Sequence, residues 1–200
     1  MPAPRLESPR LVLRPFAPGD VAPYAAVIAD PEVMRFMGSG WPYRVRRGVA
    51  RMLASVSDIE ARRDLRRIAQ HWDAHGWGEW AVEERAGGAL IGRVGFKHHG
   101  DFTADSSRVE IGWLIARRFW GRGYATEAAE IALAEGFDRF GLDRVVSISS
   151  PVNERSVGVM HRLGMVDVGH TRWHRMDVVW TAIDRPAWEA RARVRSAEAR

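Results

Sequence analysis

The chain has no cysteine. Disulfides, thiolate metal sites and a cysteine nucleophile are therefore excluded, and with them any acyl-cysteine intermediate. It has no apolar run near the roughly 20 residues that a membrane-spanning helix needs, and no internal repeat or low-complexity linker. Lysine is almost missing: Lys97 is the single one among 30 basic residues, and arginine supplies the rest. Those arginines are scattered along predicted helices and loops, so the net charge of +5 reads as composition rather than as a face for nucleic acid. No nucleic-acid motif with its own spacing is present. The segment Met1–Arg5 has no apolar signal core, which sets the expectation of a cytoplasmic protein. What remains, 200 residues with 46% hydrophobic and 28% charged, is the composition of one ordinary globular domain spanning 1–200. A chain of this length can bury a core without covalent staples.

Period-two alternation predicts a strand at about 10–15. Asp20 is placed to cap a helix through Ile28, and Asp30-Pro31 breaks it. Gly38–Pro42 reads as a loop. Residues 45–74 carry helical spacing (Val45, Val49, Met52, Leu53, Val56, then Leu65, Ile68, Trp72), with a break expected near Ser57-Asp58 and an arginine-rich outer face. Short strands follow at 79–83 and 90–96, joined at Gly87-Gly88. A polar loop, 97–107, leads to a strand at 108–115. Next come a helix ending near Phe140, a strand at 144–149 and a helix after Asn153 stopped by Gly164. Late strands are expected at 166–169 and about 173–182, then a short, frayed, basic tail helix with Trp188 docked. The order implies an α/β domain with one mixed, mostly antiparallel sheet of about seven strands flanked by helices.

The segment Arg118-Phe119-Trp120-Gly121-Arg122-Gly123-Tyr124-Ala125-Thr126-Glu127 sits where a strand hands over to a helix. Free N–H groups and the dipole of a helix start attract an anion there. Gly121 and Gly123 carry no Cβ to block its approach, and Arg118 and Arg122 add fork-shaped donors. The third glycine of a dinucleotide fingerprint would fall at Thr126, and no Gly-Lys-Ser/Thr follows, so neither nucleotide motif applies. Taken alone, the glycines could serve only the turn and the arginines only solubility.

Arg118-x-x-Gly121-x-Gly123 resembles the Arg/Gln-x-x-Gly-x-Gly/Ala signature of the GNAT N-acetyltransferase superfamily. Further blocks, in order, resemble its RimJ/RimL-type branch. Leu6–Phe16 is similar to that branch's opening strand, with Ser8 where Thr is usual. Val109-Glu110-Ile111-Gly112-Trp113 is similar to its Glu-Ile-Gly-Tyr/Trp strand. Pro151-x-Asn153-x-x-Ser156 with Leu163-Gly164-Met165 resembles its late helix, and Trp180–Trp188 its closing strand and tryptophan. The departure is the arginine-rich stretch 45–74, where members vary and often form the acceptor side.

The resemblance implies acetyl-CoA as cosubstrate, no metal, and a primary amine as acceptor, on a protein N-terminus or a small molecule. It implies that residues 118–126 hold the pyrophosphate and that backbone at Trp113, Leu114 and Ile115 lines the pantetheine arm. An N–H of Leu114 or Ile115 would stabilise the oxyanion. An ammonium must lose a proton before it attacks, and Glu110, in an otherwise apolar strand, is the candidate base through water. If Ile111 and Trp113 face one side, Glu110 and Gly112 face the other. The bland alternative for Glu110 is a surface glutamate paired with Arg108. Ser156 is the candidate donor to the departing thiolate, with Asn153 contacting the pantetheine amide or only capping its helix. Tyr124 is a second donor, although its ring is better suited to packing on the cofactor loop. His98 and His99 could reach an acceptor amine, but adjacent loop histidines are more often idle. His161, His170 and His174 show no metal spacing. Trp41, Tyr43, Trp77 and Trp173 are candidate pocket walls. A non-catalytic CoA-binding sensor or interaction module is the alternative function, and a monomer or homodimer without nucleic-acid or membrane partners is the expected state.

Overall fold

Alternating apolar side chains give strands that can bury one face on each side, and eight of them join one sheet. The computed structural model describes residues 3–37 and 50–198. The strands are β1 (Leu6–Glu7), β2 (Leu11–Arg14), β3 (Glu79–Glu84), β4 (Ala89–His98), β5 (Val109–Ile115), β6 (Arg144–Ser149), β7 (Val166–Trp173) and β8 (Met176–Asp184). Their spatial order is β1-β2-β3-β4-β5-β6-β8-β7. Neighbours are antiparallel except β5 and β6, which run parallel through the connection supplied by α3 (Tyr124–Asp138). The strand beyond the seven expected is β1, two residues paired with β2.

The remaining helices are α1 (Val21–Ile28), α2 (Ala50–His75), α4 (Glu154–Arg162) and α5 (Arg185–Glu198). One sheet face carries Trp80, Val82, Ile91 and Ile111, covered by Ala128, Ala132 and Phe137 of α3, Met160 of α4 and Trp188 of α5. The opposite face of β3–β5 presents Ala81, Leu90 and Leu114 to Tyr24 and Ile28 of α1 and Ala61 of α2. Trp80, Tyr24, Phe96 and Phe137 are completely buried and set the thickness of the two layers.

Several expectations change. Asp20 does not cap α1 with its side chain. Its carboxylate is taken by Arg14, at 2.7 and 2.9 Å, and by the Ala17 N–H at 2.7 Å. Burial pushes this carboxyl up, but those hydrogen bonds outweigh it and hold it below the usual range. α2 runs unbroken through Ser57-Asp58. Both residues have only modest helix penalties when they point outward, and Ala61, Ile68 and Trp72 beyond them anchor the helix. β7 and β8 meet at His174-Arg175, each with positive φ (49° and 66°). That is the backbone of a tight hairpin built without glycine, so composition gave no mark of it. The tail helix, 14 residues long, is longer than expected. The 38–42 loop, Trp41, Tyr43 and the predicted helix start at 45–49 lie outside the described residues.

Gly95 marks a tight strand contact. A Cβ there would stand 2.3 Å from the Gly78 carbonyl oxygen and 2.6 Å from Glu79 Cα, and φ is +144°. At its cross-strand partner Gly112 a Cβ would meet nothing within 4 Å. Gly95→Ala should therefore destabilise the protein by about 2 kcal/mol or more, while Gly112→Ala should stay within roughly 0.5 kcal/mol. Urea unfolding of the two variants beside the native chain checks the contrast.

Candidate active site

The site begins where two strands stop pairing. β5 is laddered to β4 from Val109 to Ile115, but to β6 only at Glu110 opposite Val146. In an extended strand, alternate residues turn their N–H and C=O to opposite edges. Ser147 Oγ donates to the Ile111 carbonyl at 3.0 Å, and the Ala116 N–H donates to the Ile91 carbonyl at 2.7 Å. Odd-numbered residues of β5 therefore face β6 and even-numbered ones face β4. Beyond Ile111, where β6 no longer pairs, the N–H and C=O of Trp113 and the N–H of Ile115 lie on an open edge. The Ile115 carbonyl is taken by Trp120 Nε1 at 2.7 Å. Leu114, expected to offer its backbone, turns it to the β4 ladder instead.

Both parallel strands end at a helix start, the usual place for a ligand in an α/β sheet. At α3, Gly121 and Gly123 adopt left-handed backbones (φ 75° and 77°). No side chain caps the helix. The first intrahelical donor is the Glu127 N–H, to the Gly123 carbonyl at 3.0 Å. The N–H groups of Tyr124, Ala125 and Thr126 thus have no acceptor within the helix. Glu127, an anion in this first turn, is neutralised from outside. It accepts from Ser8 Oγ at 2.7 Å and Arg10 Nε at 2.6 Å, and Arg10 also holds the Arg122 carbonyl at 2.9 Å. Burial pushes the Glu127 carboxyl up, and these bonds outweigh that and hold it low.

Arginines surround this helix start. Arg118 and Arg122 lie against the Phe119 ring at 4.9 and 5.7 Å. Arg155 lies over Trp120 at 4.8 Å, and Arg162 donates to Thr126 Oγ1 at 3.2 Å. Sequence reading missed Arg155 and Arg162. Their seven-residue spacing, two turns on one face of α4, was the available signal. Tyr124 does not point its hydroxyl to the open edge: it donates to Glu84 at 2.6 Å, beneath the Arg10 guanidinium. That removes it as a thiolate donor and leaves its backbone N–H at the helix start. Asn153 caps α4, its Oδ1 accepting the Ser156 N–H at 3.4 Å. Ser156 is half-buried in the first turn, and its hydroxyl has no hydrogen-bond partner among the described residues.

On the other side of Glu110 lies a cleft of about 840 Å³ between α1–α2 and the ends of β4–β7. Its walls are apolar at Met34, Phe36, Met176 and Trp173. Its floor is a paired network. Buried Arg93 pairs with Glu79 and donates to Tyr24 Oη at 2.8 Å, and that hydroxyl donates to Asp64 at 2.5 Å. Burial raises the Tyr24 hydroxyl pKa well above its usual value; Asp64 is pushed up by burial too, but the Arg93 charge holds it low. Lys97 reaches Glu79 at 3.4 Å and is lowered to about 8 by burial and by Arg93. An arginine within the apolar 90–96 strand was the unread sign of this floor.

Glu110 lines the cleft and does not pair with Arg108. Its Oε2 is 2.6 Å from His99 Nε2, and the His99 ring rests edge-on against Trp173 at 4.8 Å. His98 stacks on His75, and His174 pairs with Asp101 at 2.7 Å. His161 pairs with Asp167 at 3.0 Å. Trp77 packs on His71 and Phe96. Among the described residues no group of three or more His, Cys, Asp or Glu could hold a metal.

An open strand edge, an uncapped helix start ringed by arginines and a carboxylate beside a cleft thus gather around one end of the parallel pair β5 and β6. The acetyltransferase (GNAT) domain family model matches residues 10–166, and the chain belongs to that family. It is similar to YoaA of Bacillus subtilis, an uncharacterized N-acetyltransferase, at 26% identity over 84% of this chain and 86% of that protein. It is similar to YdaF of the same organism, a putative ribosomal N-acetyltransferase, at 29% identity over 51% and 57% of the two chains. The crystal structure of an acetyltransferase from Agrobacterium tumefaciens superposes with a TM-score of 0.71 at 27% identity, over 92% of this chain and 95% of that one.

His71 gives the cleft a pH dependence. Its Nδ1–H donates to the Trp77 carbonyl at 3.0 Å, and its Nε2 accepts the His98 N–H at 3.1 Å. Both partners suit the neutral ring, and burial lowers its pKa from 6.5 to about 4. The unfolded chain then binds the extra proton first, so stability is full above 6.5 and falls as pH drops toward 4. Urea midpoints between those values should fall for the native chain and fall less for His71→Gln.

Proposed function

We propose that this chain is an acetyl-CoA-dependent N-acetyltransferase of the RimJ/RimL-type branch. It moves an acetyl group to a primary amine by direct attack within a ternary complex. The observation that carries this reading is the opening between β5 and β6, with the arginine-ringed start of α3 at its end and Glu110 at its side. Bound acetyl-CoA supplies the acetyl group as a thioester and a pyrophosphate by which to be held.

In this reading the N–H groups of Tyr124, Ala125 and Thr126, with Arg118, Arg122, Arg155 and Arg162, grip the pyrophosphate through Gly121 and Gly123. The free backbone of Trp113 and the Ile115 N–H pair with the arm and polarise the acyl carbonyl. Glu110 takes the ammonium proton of the acceptor through water. The Ser156 hydroxyl donates to the departing thiolate, and the Asn153 amide nitrogen, free of the cap, contacts the arm. The absence of cysteine supports transfer without an acyl-enzyme.

The acceptor amine enters the 840 Å³ cleft. Because the charged floor is already paired within itself, selection of the amine's body falls to the apolar wall of Met34, Phe36, Met176 and Trp173. The likeness to YdaF, a putative ribosomal N-acetyltransferase, supports an acceptor on a ribosomal protein, and the apolar wall supports a small amine as the second kind. The protein works in the cytoplasm as a monomer or homodimer.

Thiol release from acetyl-CoA against peptides of varied N-termini and small amines tests the activity and divides the acceptors. Gly121→Val should raise the CoA Kd by ~100-fold, because a β-branched residue cannot hold φ near +75° without strain. Calorimetric titration that found native affinity in this variant would contradict the phosphate-loop assignment. Glu110→Gln should bind CoA as the native chain does and lose roughly 100-fold in kcat.

A further inference from the structure

We propose that His99 aims Glu110 and, through its own charge state, switches that carboxylate between a weaker and a stronger base. The proposal rests on Glu110 being the base. His99 Nε2 lies 2.6 Å from Glu110 Oε2, a distance that requires a proton between them. The contact occupies one carboxylate oxygen and leaves Oε1 for the acceptor.

His99 is not an idle loop residue. Its N–H donates to the Arg108 carbonyl at 2.8 Å, and its carbonyl accepts the Phe102 N–H at 3.2 Å. Phe102 is buried against Trp173 and Trp180, at 5.5 and 5.7 Å between ring centroids. Farther along the same loop, buried Asp105 pairs with Arg144 at 2.9 Å. Trp173 then fixes the imidazole plane from the β7 side. A loop anchored at three points, with one ring held against the candidate base, is a positioning device.

The second nitrogen, Nδ1, has no hydrogen-bond partner among the described residues, and the side chain is 22% exposed. The ring can therefore exchange a proton with water. With both nitrogens protonated, the imidazolium holds Glu110 ionised, weakens it as a base and repels an incoming ammonium. With Nδ1 deprotonated, the Nε2–H still aims the carboxylate and both penalties vanish. The acceptor N–H bond then breaks, an O–H bond forms at Oε1 through water, and the proton later leaves to solvent.

The other charged groups facing this pair also have partners elsewhere; buried Arg93 on β4, whose charge reaches Glu110, pairs with Glu79. Within the loop Asp101 is tied to His174, the latter in the turn after β7. From β4, Lys97 stands beside Glu110 in register and reaches Glu79; its pKa of about 8 places its titration on the alkaline side. From α2, Asp64 is held by Tyr24 and by Arg67 at 2.9 Å. His71 accepts from the His98 backbone and stays neutral. His99 touches the carboxylate directly and keeps Nδ1 open to water, so its change of charge should set the acid limb of the rate.

The test is kcat/KM against pH for the native chain, His99→Gln, His99→Ala and Glu110→Gln, with CoA binding measured on each. Native kcat/KM should rise as the imidazole loses its proton. His99→Gln, which can still donate to Oε2 but cannot titrate, should stay within about threefold of native at alkaline pH and lose that limb. His99→Ala should lower kcat about tenfold at unchanged CoA affinity, as for a lost charged hydrogen bond. A His99→Gln profile that keeps the native acid limb, or a His99→Ala variant with native kcat, overturns the role of His99. If Glu110→Gln turns over at the native rate, the base assignment itself has failed.

Discussion

A single place where two parallel strands cease to pair organises the molecule. The β5 and β6 backbones pair only at Glu110 and Val146, and a strand with a free edge has polar backbone that must find a partner. The open backbone of Trp113 and the Ile115 N–H fits an extended amide chain, which adds to a strand edge by the same bonds another strand would make. The connections follow from the same geometry. A parallel pair needs a long crossover, α3 supplies it, and its uncapped start arrives at the carboxyl end of β5. Glu110 stands at the last paired position, so one side of it opens to the free edge and the other to the cleft.

The two sides are electrostatically unlike. At the helix start the positive groups are in surplus, because Glu127 is already satisfied by Ser8 and Arg10. In the cleft the charges are matched among themselves, Arg93 with Glu79 and Asp64 with Tyr24 and Arg67. The proposed function, with a polyanion held on one side and a cation deprotonated on the other, needs this division. Surplus cations near Glu110 would weaken it as a base. Lys97, the lone lysine, sits half-buried within that balance, lowered to about 8 by burial and by Arg93.

Much of this was legible in the chain. The sheet, the order of elements and the Arg118–Thr126 junction follow from periodicity and from glycines at positions that need positive φ. The family resemblance is what pointed to acetyl-CoA. The errors have local causes. Asp20 reads as a helix cap, but Arg14, six residues earlier, takes its oxygens first. Ser57-Asp58 reads as a break, but tertiary packing at Ala61 and beyond overrides weak propensity. The His174-Arg175 turn carries no glycine to announce it. Backbone direction is also invisible to composition: only the alternation along β5 shows that Leu114 faces β4 while Trp113 and Ile115 face the opening. Partners distant in sequence, such as His99 with Glu110 or Arg162 with Thr126, become visible only after folding. Here a loop and a helix were fixed by Phe102 and α4 packing that no local pattern encodes.

Amide hydrogen exchange, read by mass spectrometry with and without CoA, tests the central claim most directly. The account predicts that CoA slows exchange at two segments together, Trp113–Ile115 on the open edge and 121–126 at the start of α3, with little change at the β7 edge. Protection confined to other segments, or none at saturating CoA, would contradict the assignment of the opening between β5 and β6 as the cofactor site.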